Sequence, residues 1–87
     1  MTAYSVEYSK EARKALKGLP RNVAKLLLEK IEVLAADPCA PNNNLRKLTN
    51  HPGYRLRVGD WRVVYLLQEE RLVIAVVRIA PRGEVYK

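Results

Sequence analysis

The stretch "YRLRVGDWRVVY", residues 54–65, decides the fold because it is typical of two strands joined by a tight turn. The pair "GD" at 59–60 is a two-residue hairpin loop between runs rich in β-branched and aromatic residues. This loop places Arg57 opposite Arg62 across the ladder, and strand alternation puts Arg55 on the same side. Guanidinium groups crowded on one sheet face repel each other, so we expect a negatively charged ligand from outside the chain.

The other side of the same two strands is apolar. Six residues alternate with the arginines: Leu56, Val58, Trp61, Val63, Tyr65 and Leu67. We expect helices to cover this apolar side, which leaves the arginines on the uncovered face. A guanidinium offers a planar fork of donors that matches phosphate oxygens, so this face is a candidate phosphate platform. The alternative is that Asp60, Glu69 or Glu70 pairs with the arginines.

Upstream of this hairpin the sequence predicts a short strand and two helices. The segment "AYSVEYS" alternates as a strand does, and Ser9 can cap a helix over residues 10–19 that Gly18 and Pro20 end. A second helix is predicted from about Pro20 to Ala36, where apolar residues recur at helical spacing. These two helices are expected to form an antiparallel hairpin.

After the loop "DPCAPNNN" at 37–44, strands are predicted at 54–58, 61–68 and 71–80. The last strand is apolar on both faces and is therefore predicted to be internal to the sheet. The predicted fold class is α+β: the N-terminal strand and the helix hairpin pack on one face of a small, mainly antiparallel sheet, in the order β-α-α-β-β-β. An 87-residue chain buries one modest core, so residues 1–87 are expected to form one domain.

The charge balance indicates a polyanionic partner. The chain has 16 Lys and Arg residues against 9 Asp and Glu residues, a formal net charge of +7, which favours binding to nucleic acid or to an acidic protein. More than half of the basic residues lie at or beyond Arg46, in strand-like sequence, which disfavours a basic helix lying on a membrane. No membrane span, signal peptide or cysteine pair is recognisable, so a cytoplasmic location is expected.

The C-terminal segment "IAPRGEVYK" at 79–87 is predicted to bring Arg82 and Tyr86 to the end of the sheet. A tyrosine there can plug the core, stack on a single-stranded base, or sit among the arginines. In the last case the positive charges favour the phenolate, which could then act as a general base.

The residues resemble the RelE/ParE superfamily of toxins from toxin–antitoxin pairs. The resemblance spans nearly the whole chain and is carried by "YSVEYSKEARKALKGLP", "LRKLTNHPGYRLRVGDWRVVY" and "VRIAPRGEVY". It implies a RelE-like endoribonuclease that cleaves mRNA in the ribosomal A site by attack of the 2′-hydroxyl on its own 3′-phosphate, without metal or small-molecule cofactor. It also implies a cognate RelB-like antitoxin protein. The ParE branch, which inhibits DNA gyrase and is not a nuclease, is the alternative.

Matched residue by residue, the resemblance implies that Arg62 and Arg82 stabilise charge on the phosphate and that Tyr86 lies beside the scissile nucleotide. The joint presence of these three residues favours the nuclease branch. Arg55 and Arg57 stand where the best-known relatives carry a pair of lysines. Arginine does not release its proton near neutral pH, so proton abstraction must involve another group or be slower, and Tyr86 is the candidate group.

Four further basic residues are candidates for RNA binding: Lys25, Lys30, Arg46 and Lys47. The alternative for the helical lysines is an ordinary solvated face. The single histidine, His51, lies in the loop "TNHPGY", close in sequence to the arginines. Relatives that use a histidine carry it near the chain end, so His51 is interpreted as a loop residue.

Overall fold

The computed structural model of the protein describes residues 4–38, 40 and 43–81. The helices and strands follow one another as β1 (Ser5–Tyr8), α1 (Lys10–Lys17), α2 (Arg21–Ala36), β2 (Leu45–Lys47), β3 (Tyr54–Val58), β4 (Trp61–Gln68) and β5 (Val73–Pro81). The predicted α+β class is confirmed, and so is the predicted element order apart from one addition. Strand β2 was not predicted, because three residues are too few to display an alternating pattern.

Within the described ranges the strands form one sheet in the order β1-β5-β4-β3-β2. Strand β1 runs parallel to β5, and the other neighbouring strands are antiparallel, so the mainly antiparallel sheet is confirmed. Strand β5 pairs on both sides, as predicted from its apolar sequence. It begins at Val73 rather than at residue 71 because the amides of Arg71 and Leu72 bond back to Gln68 and Glu69 in a turn.

The helices begin and end close to their predicted bounds. The Oγ of Ser9 accepts a hydrogen bond from the amide of Ala12 at 3.0 Å and donates one to the carbonyl of Val77 at 2.8 Å. This single side chain therefore caps α1 and ties its start to β5. Helix α1 ends before Gly18, and α2 begins directly after Pro20. Neither helix is long and apolar enough to cross a membrane, a finding that covers the described residues.

The core lies between the helices and one face of the sheet. Its buried helical residues are Ala12, Leu27, Ile31, Leu34 and Ala35, and its buried sheet residues are Leu56, Val58, Val63, Tyr65, Ile74, Val76 and Ile79. Trp61 and Leu67 are partly buried against this cluster. The apolar side predicted for β3 and β4 is therefore the side that packs on the helices, which leaves the opposite side for the arginines.

The turn between β3 and β4 depends on the backbone of Gly59. This residue has a φ of 58°, in the left-handed region, and an added Cβ would meet no atom within 4 Å. Because the side chain has room, the cost of a substitution is conformational only. We expect Gly59→Ala to lower the free energy of unfolding by about 1 kcal/mol, measured by urea denaturation.

Gly18→Ala provides the control for this prediction. Gly18 has a φ of −85°, and a Cβ there would lie in ordinary contact, 3.6 Å from the carbonyl oxygen of Ala15. We expect this variant to keep or slightly raise the stability of the protein, because alanine restricts the unfolded chain more than glycine does. Equal losses in the two variants would contradict a conformational cost specific to Gly59.

Candidate nucleic-acid interface

The sheet face turned away from the helices carries four neighbouring arginines. Strand register aligns Arg57 with Arg62 across β3 and β4, and Arg46 with Arg55 across β2 and β3. Because Arg55 and Arg57 are two residues apart on one strand, both pairs project to the same side. The predicted common face of Arg55, Arg57 and Arg62 is confirmed, and Arg46 joins them. These four residues are called the arginine cluster below.

The arginine cluster lines a small cavity that is partly open to solvent. Among the described residues, its lining consists of the four arginines together with Asn43 and Asn44, and its volume is about 140 Å³. The backbone carbonyl of Asn44, the residue directly before β2, accepts a hydrogen bond from the amide of Arg57 at 2.8 Å. The Oδ1 of Asn44 also accepts from the Nη2 of Arg57 at 3.4 Å. Asn44 thus helps to hold the Arg57 guanidinium at the cavity.

Solvent exposure falls steeply across the cluster. Arg57 is exposed, Arg55 is half-buried, and only 6% of the Arg62 surface is accessible to solvent. The expectation of an open arginine face is therefore wrong for Arg62. Arg62 pairs with Arg57 of β3 on one side and with Ala80 of β5 on the other, and its Nη1 donates to the carbonyl of Trp61 at 3.2 Å, which holds the guanidinium against the backbone of β4. A charge held in such a dry position interacts strongly with an anion that reaches it.

The other predicted RNA-binding residues do not line the cavity of the arginine cluster. Lys47 alternates with Arg46 on β2 and lines a different groove, beside Pro52 and Tyr54. Lys25 and Lys30 are exposed on α2, in the helical layer. A contact between these lysines and RNA remains a prediction that concerns a separate surface.

Two predicted catalytic residues, Arg82 and Tyr86, lie outside the described residues, and their roles stay predictions. Strand β5 can be followed to Pro81, which pairs with Trp61. The preceding residue, Ala80, pairs with Arg62. Strand β5 therefore runs beside the most buried member of the cluster immediately before the sequence reaches Arg82.

Sequence reasoning missed the contribution of the segment before β3. The asparagines before β2 have the composition of a loop. Strand β2 sets the position of Arg46, and this strand is too short to be recognised from the sequence. Arg78 was also overlooked: it aligns with Val64 on the arginine face, and its Nε lies 3.9 Å from the Oε1 of Glu11. Of the acids considered as partners for the arginines, Glu69 and Glu70 line the groove near Lys47 instead.

His51 has a structural contact consistent with its interpretation as a loop residue. Its Nδ1 accepts a hydrogen bond from the amide of Gly53 at 2.8 Å, just before β3 begins. Over the described ranges, no group of three or more His, Cys, Asp or Glu side chains is arranged to hold a metal ion.

A groove of a different character lies between β1 and α2. Its described lining is Tyr4, Val6, Tyr8, Leu28, Glu32, Ala35 and Ala36. Burial raises the pKa of the Tyr8 phenol, and the negative charge of Glu32 raises it further. This tyrosine therefore stays protonated near neutral pH, unlike the phenolate that a general base requires.

Comparisons with known proteins agree with this architecture. A family model described as the ParE toxin of type II toxin–antitoxin systems matches residues 6–86. The RelE1 toxin of Methanocaldococcus jannaschii is 31% identical over 86 residues, which cover 97% of this chain and 96% of that protein.

Among solved structures, the archaeal RelE–RelB complex of Pyrococcus horikoshii contains a chain that is 31% identical, with a TM-score of 0.81 and coverage of 95% of this chain and 99% of that one. The intact RelBE toxin–antitoxin complex of Escherichia coli contains a chain with 25% identity and a TM-score of 0.78, covering 94% of this chain and 99% of that one. The matches extend over nearly the full length on both sides. The chain therefore belongs to the RelE/ParE superfamily of toxins of type II toxin–antitoxin systems.

Proposed function

We propose that this toxin is a ribosome-dependent endoribonuclease that cleaves mRNA in the ribosomal A site. The observation that carries the proposal is the convergence of Arg55, Arg57 and Arg62 on one small cavity, with Arg62 almost fully buried. A cavity of this kind is suited to an anion that gains charge during a reaction, because preorganised donors in a dry site need no rearrangement when the charge develops.

In the proposed reaction the 2′-hydroxyl of a nucleotide attacks its own 3′-phosphorus. The new O2′–P bond forms as the bond from phosphorus to the 5′-oxygen of the next nucleotide breaks. The products are a 2′,3′-cyclic phosphate and a free 5′-hydroxyl, so the proton that leaves the 2′-oxygen is balanced by one that reaches the 5′-oxygen. Arg55, Arg57 and Arg62 stabilise the additional negative charge on the phosphate oxygens.

Proton transfer is assigned outside the arginine cluster, because guanidinium groups do not accept protons in this reaction. Tyr86 is proposed to accept or relay the 2′-hydroxyl proton, and Arg82 to stabilise the leaving 5′-oxygen. This assignment follows from the resemblance of "RGEVY" to the family motif.

The direct test is primer extension on mRNA bound to programmed ribosomes, with and without the purified toxin. We expect new 5′ ends within the A-site codon when toxin and ribosome are both present, and no cleavage of the same mRNA without ribosomes. Intact mRNA after incubation with toxin and ribosomes would argue against the nuclease.

A second candidate function is inhibition of DNA gyrase, which the match to the ParE toxin family model favours. A gyrase inhibitor of this kind is not a nuclease, so it does not use the arginine cluster as a catalytic site. Brief expression in cells separates the two functions: the nuclease stops protein synthesis first, whereas a gyrase inhibitor first changes the supercoiling of plasmid DNA.

The proposed protein partner is a RelB-like antitoxin. The solved relatives from Pyrococcus horikoshii and Escherichia coli are toxin–antitoxin complexes, which supports this assignment. The net charge of +7 is suited to an acidic, partly disordered segment that folds when it binds.

A further inference from the structure

One face of helix α2 carries large apolar side chains that are exposed to solvent. Leu26 is 43% exposed and Val33 is 70% exposed, whereas the adjacent Leu27 is buried in the core. Glu29 and Lys30 lie between the two exposed residues, and all four positions recur at the spacing of one helix face. Leu26, Glu29, Lys30 and Val33 are called the outer α2 face below. Two large apolar residues on one exposed helix face are suited to a protein partner.

We propose that the outer α2 face binds a second copy of this toxin, with the two α2 helices antiparallel about a twofold axis. The axis passes between Glu29 and Lys30, which is the midpoint of the face. In an antiparallel pair with this centre, each residue lies level with the residue equally far from the midpoint on the other helix. Leu26 therefore meets Val33 of the second copy, and Glu29 meets Lys30 of the second copy.

This arrangement makes the outer α2 face complementary to itself. Each apolar side chain meets an apolar one, and each charge meets the opposite charge, twice in the dimer because of the symmetry. At a rise of about 1.5 Å per residue, Leu26 and Val33 lie about 5 Å from the axis on either side of the charged pairs. Among the described residues, neither Glu29 nor Lys30 forms an ion pair within its own chain, so both charges are available.

The alternation of charge on the outer α2 face favours a second copy over other partners. Lys30 attracts an acidic antitoxin segment or an RNA phosphate, but the adjacent carboxylate of Glu29 repels both. A second copy satisfies both charges. Leu28 does not belong to this face, since it lines the groove between β1 and α2. The dimer therefore leaves that groove open to another ligand.

The proposed dimer is weak, and its population depends on the toxin concentration. Two apolar residues from each copy make a small interface, and the net charge of +7 on each copy opposes association. The arginine cluster lies on the sheet face turned away from the helices, so it stays open in both copies. Dimerisation is thus independent of the proposed nuclease activity.

The first test is sedimentation velocity of the purified full-length toxin, from about 10 µM to about 1 mM. A salt concentration of about 0.15 M limits the repulsion between the two copies. We expect the monomer to be replaced by a dimer as the concentration rises. Val33→Asp should weaken this association at least tenfold, that is by about 1.4 kcal/mol or more, because it replaces an apolar contact by a charge. Circular dichroism checks that the variant is folded, as expected for a residue that is 70% exposed.

The second test reverses the charges one at a time. Glu29→Lys and Lys30→Glu should each weaken the dimer about tenfold, because each turns two attractive pairs into repulsive ones. A mixture of the two variants should associate, since one copy then carries two lysines where the other carries two glutamates. Glu70→Lys is the control for net charge: Glu70 is exposed in the turn after β4, and this variant should associate as the wild type does.

Wild-type toxin that stays monomeric over the whole concentration range would overturn the proposal. So would a dimer that Val33→Asp leaves intact, or a mixture of the two charge variants that does not associate. A monomeric wild type whose Val33→Asp variant no longer co-purifies with the antitoxin encoded beside it would assign the outer α2 face to the antitoxin instead. None of these results depends on whether the toxin cleaves mRNA, so failure of the dimer and failure of the proposed nuclease are distinguishable.

Discussion

Arg62→Ala is expected to slow mRNA cleavage on ribosomes by about 10²–10³-fold, the range observed when one preorganised charge-stabilising donor is removed. Only 6% of the Arg62 surface is exposed to solvent, so its proposed interaction with the phosphate is little screened by water. The other described arginines of the cluster are more exposed, so water screens their charges more strongly. Single-turnover primer extension, with the ribosome complex saturated by toxin, measures the loss.

Two comparisons separate a chemical role of Arg62 from a structural one. Arg62→Lys keeps the charge but loses the planar fork, so we expect a rate between those of the alanine variant and wild type. Arg71→Gln removes an arginine of the turn after β4 and should cleave at the wild-type rate. Circular dichroism and urea denaturation establish that each variant is folded. A folded Arg62→Ala protein with wild-type activity would remove Arg62 from the site.

Gly53→Ala is expected to lower the free energy of unfolding by about 1–3 kcal/mol, the usual cost of forcing additional atoms into a packed position. Gly53 is buried just before β3, and an added Cβ would lie 2.9 Å from the His51 ring and 2.9 Å from the carbonyl oxygen of Tyr65. The Tyr65 carbonyl belongs to β4 and cannot move without disturbing the β3–β4 ladder. Urea denaturation measures the change.

The double variant His51→Ala/Gly53→Ala identifies which neighbour resists the new methyl group. Removing the ring relieves one of the two close contacts and leaves the contact with the Tyr65 carbonyl. We expect the double variant to remain less stable than His51→Ala alone by most of the original loss. Full recovery would mean that the ring of His51, and not the backbone of β4, is the obstacle.

Local patterns were sufficient to predict the hairpin around Gly59 and the side on which Arg55, Arg57 and Arg62 lie. Both depend on the two-residue period of a strand and on the length of the turn, which are visible in neighbouring residues. The bounds of the helices followed from caps and apolar spacing in the same way. These features are local, and the structure confirms them.

The features that sequence reasoning missed depend on contacts between strands and not on the pattern within one strand. Arg62 is buried although it lies on the face that the helices leave uncovered, and no pattern within β4 predicts this burial. Arg46 reaches the cluster through the three-residue strand β2, whose pairing with β3 shows no periodicity of its own. Asn44 was interpreted from composition as a loop residue, although it bonds to Arg57 through both its backbone and its side chain.

The parallel pairing of β1 with β5 has a consequence for the order in which the toxin folds during its synthesis. Ser5 lies beside Val73, and the hydroxyl of Ser9 reaches the carbonyl of Val77 across 68 positions of sequence. Contacts between such distant segments form late and slow the folding of a small protein. During synthesis, the first strand and the start of α1 must wait until β5 has been made. The strand that places Ala80 beside Arg62 is that same late strand, so the proposed phosphate site is assembled only after β5 has been synthesised.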